Sequence, residues 1–314
     1  QIAKEFKTNH HEVIIDQRMA FDFLPKLIYH QDEPLADPVC IPLYFVSKLA
    51  RDNGTIVIQV GEGSDEQFAG YPAYLRELRF YEWLWRPYQL IPRFAKSAIF
   101  GLASTLLKRQ HKFLQLDYIR KATEGDELFW GGVNIFTETH KSLLFNGRRE
   151  NQTVRARDLA ARWHETILDR DHRADYLKRM IYLEFKNRLP ELLLMRVDKV
   201  SMATSVEARV PFLDHRLVEY SMTIPKEFKI KGGEPKYILK KAVEGIIPKN
   251  IIYRKKQGFA APVSEWLRSE WFAFMETRVL DGGLMKRNLF QRDFIKTMVH
   301  NHRNRTRDEG MPLW

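Results

Sequence analysis

Val60-Gly61-Glu62-Gly63-Ser64-Asp65-Glu66-Gln67-Phe68-Ala69-Gly70-Tyr71 is the stretch that decides the fold. It completes a short run, residues 55–60 (Thr-Ile-Val-Ile-Gln-Val), rich in β-branched residues and read as a strand. Gly61 and Gly63 permit a tight turn and a close backbone approach. Ser64 and Gln67 have capping-box spacing, so a helix is expected to begin at Asp65, its free N–H groups suited to a phosphate. Three carboxylates, Glu62, Asp65 and Glu66, crowd the same turn and would repel a triphosphate unless a hard cation lay between. Magnesium is held by one or two carboxylates plus substrate phosphates, which makes Asp65 the candidate metal ligand. The same acids also read as an ordinary first helical turn favoured by the dipole.

Upstream, residues 11–15 (His-Glu-Val-Ile-Ile) read as a second strand, residues 18–29 and 43–51 have helical spacing, and Pro34, Pro38 and Pro42 punctuate the connection. Strands alternating with helices imply an α/β fold with a parallel sheet. From Tyr71 to about Met195 long charged and aromatic segments of helical period dominate, and Trp83, Trp85, Trp130 and Trp163 are expected to fill gaps between helices. Prolines space short helices over 196–270. The expected organisation is a nucleotide-binding part at 1–75, a helical elaboration at 76–195 and a helical C-terminal part at 196–314.

With 44% hydrophobic and 29% charged residues, the 314-residue chain is neither disordered nor a fibrous repeat. No apolar stretch approaches the roughly 20 residues of a membrane span, and residues 1–6 lack the regions of a signal peptide. A cytoplasmic chain with no membrane partner is therefore expected. The single cysteine, Cys40, excludes an intrachain disulfide and a cysteine-based zinc site. His10-His11-Glu12 invites a metal reading, but neighbours on a strand point to opposite faces. The net charge of +11 fits nucleic acid, an acidic membrane face or a polyphosphate ligand. Basic segments such as 108–112 and 303–307 are scattered, and acids interleave with bases around 169–178, so no nucleic-acid stripe emerges.

Gly61-Glu62-Gly63-Ser64-Asp65-Glu66 followed by Phe68-Ala69-Gly70-Tyr71 resembles the second signature of the ATP-pyrophosphatase domain of the asparagine synthetase family. Asp32-Glu33-Pro34-Leu35-Ala36-Asp37-Pro38 is similar to the family's acidic, proline-containing segment, and His10-His11-Glu12 to its second strand. Downstream, Arg196-Val197-Asp198-Lys199-Val200-Ser201-Met202 and Val206-Glu207-Ala208-Arg209-Val210-Pro211-Phe212-Leu213-Asp214 are similar to its most specific stretch. Gly233-Glu234-Pro235-Lys236-Tyr237-Ile238-Leu239-Lys240 and Tyr253-Arg254-Lys255-Lys256-Gln257-Gly258-Phe259 complete the series in family order.

The resemblance implies an adenine nucleotide hydrolase-like fold that binds ATP and Mg. In the family a carboxylate attacks the α-phosphate of ATP, pyrophosphate leaves, and ammonia then displaces AMP from the acyl-adenylate. Carried over, Lys256 is the catalytic lysine, Glu62 a candidate general base, and Asp65 the metal carboxylate. Val60, Gly61, Glu62, Gly63 and Ser64 line the nucleotide, with Arg196 on the pocket floor beside Asp198 and Glu207. Lys236 assists at the phosphates or is a plain exposed lysine at a first helical turn; Arg209 and Asp214 are expected in buried pairs. The implied substrate is aspartate, or another carboxylate such as a sugar acid. Ammonia would come from a glutaminase domain of the parent chain, and a homodimer is admitted.

Two motifs of the family are missing from this sequence: a Ser-Gly-Gly-x-Asp-Ser loop, expected just upstream of Gln1, and the glutaminase domain with its initiating cysteine. Val60 stands where serine is usual and Gln67 where an apolar residue is usual. These departures admit a scaffold that keeps the fold without activity; the net charge of +11 and the basic segments separately admit a nucleic-acid binder as a rival class.

Overall fold

The computed structural model describes residues 1–110, 112–145 and 156–314; His111 of the basic segment 108–112 lies outside the described residues. Strand β1 (Val57–Gln59) forms within the β-branched run and pairs in parallel with β2 (Glu207–Arg209), with Ile58 opposite Ala208. Flanking backbone bonds lengthen the ladder: Glu207 N–H donates to the Ile56 carbonyl (2.8 Å) and Val60 N–H to the Arg209 carbonyl (2.9 Å). The fold is thus α/β but mostly helical, its parallel sheet reduced to these two strands among the described residues. Residues 11–15 are not a strand. A strand needs a neighbour for its N–H and C=O groups and a buried face; among the described residues β1 pairs only with β2, and Ile14 is left 88% exposed.

Both helices expected before β1 are present, slightly longer than their periodicity suggested. Gln17–Gln31 starts where the Asp16 side chain accepts the Met19 N–H at 2.8 Å, a side-chain N-cap. Cys40–Asp52 buries Cys40, Ile41, Leu43, Tyr44 and Ser47 on one face and packs on the helix Met195–Met202. Cys40 opens a helix inside the core, with Gln31 Nε2 donating to its Sγ at 3.0 Å.

Two apolar cores result. The first gathers the helices 17–31 and 40–52, Val197, Val200 and the C-terminal Trp266, Trp271 and Met298. The second is built around Ala69, Tyr74, Leu78, Phe129, Met180 and Leu183 in the helical middle. Val60 packs against the first core, whereas Ala69 and Tyr71 belong to the second. The glycine turn therefore spans from one core to the other. The tryptophans divide: Trp85 is buried, Trp130 and Trp163 pack against the second core, and Trp83 is 79% exposed, contrary to expectation. It sits in a π-helical turn, Tyr81–Trp85, that turns Trp85 inward. Among the described residues no single helix is long and apolar enough to cross a membrane.

Candidate active site

The turn after β1 is shaped by its second glycine. Gly63 has φ +90°, and a Cβ there would lie 2.3 Å from Leu213 Cδ2, so a side chain is excluded by both conformation and space. The helix that follows is a single turn, Ser64–Gln67, capped by Gly63. Ser64 is inside it, and the expected capping box is absent. Other partners have taken both side chains: Ser64 Oγ donates to the Gly61 carbonyl at 2.9 Å and accepts from distant Lys236, and fully buried Gln67 donates its amide to the Phe212 carbonyl. That bond ties the turn Pro211–Leu213 to the site, which accounts for a polar residue at 67.

Asp65 is where three distant segments converge. Its Oδ1 lies 2.6 Å from Lys256 Nζ and 2.9 Å from Lys236 Nζ, and Lys236 Nζ also donates to Ser64 Oγ at 3.1 Å. Burial pushes the Asp65 carboxyl up, but the two ammonium groups outweigh it and hold the group below its ordinary value. Lys236 has φ +54° and precedes the helix Tyr237–Ala242, its N–H donating to the Phe68 carbonyl at 3.0 Å. Gly70 closes the cradle: a Cβ there would meet Asp65 Oδ1 at 1.9 Å and Lys236 Cε at 2.1 Å.

Arg196 and Glu62 are also together. Buried Arg196 donates to Asp37 and, at 3.2 Å, to Glu62 Oε1, so its cation is engaged by two carboxylates and fixes Glu62. The other expected floor residues make no bond to this pair among the described residues. Asp198 is exposed, and Glu207 pairs with Arg209 at 2.7 Å on the surface. Asp214 pairs with Arg216 at 2.9 Å, again exposed. Arg209 and Asp214 are therefore surface pairs, not buried ones: next-but-one neighbours bridge locally without needing a core partner.

Several side chains packed around this cluster escaped the sequence reading. The Tyr71 ring lies 4.4 Å from Lys256 Nζ and 4.5 Å from the Arg188 guanidinium, a cation–π platform for the lysine. Tyr71 Oη donates to Glu66 Oε1 at 2.6 Å. Behind it, fully buried Glu184 accepts from Tyr74 Oη (2.8 Å), Gly132 N–H (2.6 Å) and Arg188 (2.6 Å). Tyr71 closes the quoted motif and was the one legible signal. Glu184 and Arg188, four apart on helical sequence, look like a surface pair.

The cluster matches a polyphosphate ligand in sign, since two ammonium groups face one carboxylate. Among the described residues no three metal-ligating side chains cluster. One carboxylate is nevertheless the protein share that magnesium needs when phosphates and waters fill its other positions, so the Asp65 donor set fits that ion.

The chain belongs to the asparagine synthase family, whose pattern matches residues 1–314. It is similar to the glutamine-hydrolyzing asparagine synthetase 1 of Bacillus subtilis (strain 168), 31% identical over 291 residues, covering 93% of this chain and 44% of that protein. A putative glutamine-hydrolyzing asparagine synthetase of Mycobacterium tuberculosis (strain ATCC 25618 / H37Rv) is 30% identical over 295 residues, 93% of this chain and 42% of its own. The amidase chyE of Penicillium rubens is 27% identical over 283 residues, covering 82% of this chain and 39% of that protein. The chain thus spans less than half the length of these relatives.

Proposed function

We propose that the polypeptide carrying this chain amidates a carboxylate through an acyl-adenylate, with ATP as the activating substrate and aspartate as the default acid. The observation that carries the reading is the meeting of Lys256 and Lys236 on Asp65. In this reading the two ammonium groups leave Asp65 for the phosphate oxygens, where a compact point charge stabilises charge building on the leaving pyrophosphate. Magnesium, held by Asp65, would neutralise further phosphate charge. Glu62, oriented by Arg196, takes a proton from ammonia as it attacks the acyl carbon. Gly61 and Gly63 keep the backbone low beside the nucleotide, in a nucleotide hydrolase-like domain, with Val60 at its edge. Ammonia reaches the site from a glutaminase domain of the parent chain.

Supplied with ATP, ammonia and aspartate, the whole polypeptide is expected to release AMP and pyrophosphate. Lys256→Ala should reduce release by about two to three decades with an unchanged circular dichroism spectrum. Near-normal turnover in that variant would remove Lys256 from its role. A sugar carboxylate is the alternative acid, since the long aromatic helical middle can reshape a substrate entrance. Release with a sugar carboxylate and none with aspartate would select it, and no release with any carboxylate would end the reading.

A further inference from the structure

Residues 83–112 contain six lysines and arginines and no aspartate or glutamate. In a chain with 40 acidic residues and a net charge of +11, this one stretch holds an excess of six. Lys96 is buried and bonded to Gln89 at 2.8 Å. The other five, Arg86, Arg93, Lys108, Arg109 and Lys112, are exposed, and none forms an ion pair among the described residues.

The same stretch, Trp85 apart, exposes large apolar side chains. On the helix Arg93–Arg109, Phe94 (79% exposed), Leu102 (82%) and Leu106 (57%) lie on one ridge at four-residue multiples, with exposed Ala98 between them. The opposite face packs on the helix Phe113–Glu124. Just before, Trp83 (79%), Leu84 (60%) and Leu90 (85%) are equally bare. Arg93 precedes the ridge and Lys108 and Arg109 follow it, bracketing about 26 Å of helix at 1.5 Å per residue.

We propose that this face docks the protein onto an anionic lipid surface, with the helix Arg93–Arg109 lying in the interfacial plane. An apolar ridge of phenylalanine and leucine, with Trp83 bare just before it and bordered by cations that form no ion pair among the described residues, is the pattern of a helix that inserts side chains below the headgroups. Charge selects the occupant: a protein interface depletes lysine at its core and pairs charges at its rim, whereas a 30-residue stretch without a single acid, its flanking Glu82 already paired with Lys226 at 2.9 Å, complements phosphate headgroups, each basic residue adding roughly fivefold in binding. This revises the expectation of no membrane partner, which counted only spanning segments; an interfacial helix needs no 20-residue apolar run. The proposal is independent of the amidation chemistry.

Vesicle co-sedimentation of the whole polypeptide tests it, with phosphatidylcholine vesicles as the probe, with and without phosphatidylserine. Binding to the anionic vesicles only, weakened by salt, is expected. Leu102→Glu and, separately, Lys108→Glu with Arg109→Glu should each lower it at least tenfold while leaving circular dichroism and AMP release intact. Failure of the wild-type protein to sediment with anionic vesicles at low salt would overturn the proposal. So would undiminished binding by Leu102→Glu. A concentration-dependent dimer in light scattering, dissolved by Leu102→Glu without any vesicle binding, would instead assign the face to a second copy of the chain.

Discussion

Lys229 shows how a single residue can work against the fold that holds it. It is 3% exposed, and among the described residues its ammonium makes neither a hydrogen bond nor an ion pair. It faces a cleft of about 280 Å³ lined also by Asp175, Lys178 and Lys226. Burial lowers its pKa from an ordinary 10.5 to about 8, with Asp175 opposing and Lys178 assisting. Below about 8 the group is charged in both folded and unfolded chains, so the cost of burying the charge is fully present. Between about 8 and 10.5 the unfolded chain binds the proton and the folded one does not, so stability rises with pH. Lys229→Met is therefore expected to be more stable at pH 7 by up to about 3 kcal/mol, the gap closing towards pH 10.5. Urea unfolding of both proteins across that range measures it; a gap that does not narrow would show that the ammonium is not the cause. Nothing in the sequence marks Lys229, because its neighbours Lys226 and Lys231 read as one solvated basic run and burial is a property of the assembled helices.

At the scale of elements, the strand-turn-helix unit was legible where its constraints are local. The β-branched run and Gly63, with φ +90°, dictate their own backbone, and both helices before β1 followed from apolar spacing. The capping box was not legible, since Ser64 and Gln67 are claimed by Lys236 and Phe212, about 150 to 170 residues away. Residues 11–15 failed for a related reason: a strand exists through its neighbour, and pairing is not written in five residues. Gly70 tests the unit as a whole. Gly70→Ala must displace either the Asp65 carboxylate or the Lys236 side chain, and is expected to cost about 1–3 kcal/mol through overpacking and to lower pyrophosphate release at least tenfold. Gly101→Ala, on an exposed helix face with nothing within 4 Å of the added carbon, is the control, expected to be neutral or slightly stabilising. Equal behaviour of the two variants would mean that the cradle around Asp65 is loose.

For the whole molecule, the site draws its rigidity from two cores at once. Arg196 and Asp37 anchor Glu62 from the first, and Tyr71, Arg188 and Glu184 support Lys256 from the second. Glu184 is the keystone of the second support, because one buried carboxylate satisfies Tyr74, Gly132 and Arg188 together. Burial also pushes Glu66 up, with Tyr71 and Arg188 acting the other way, so Arg188 is what keeps two buried acids tolerable. Removing Glu184 leaves half-buried Arg188 with only Glu66, at 3.9 Å, to pair with among the described residues, and strands the Tyr74 hydroxyl. Glu184→Ala is expected to cost about 3–5 kcal/mol. Hydrogen exchange should show where the loss falls: amides of the helix Tyr176–Lys186 should lose protection while those of Cys40–Asp52 keep it, because stability is distributed in cooperative units. Uniform loss across both helices would show that the two cores unfold as one, and that the site is held by a single body.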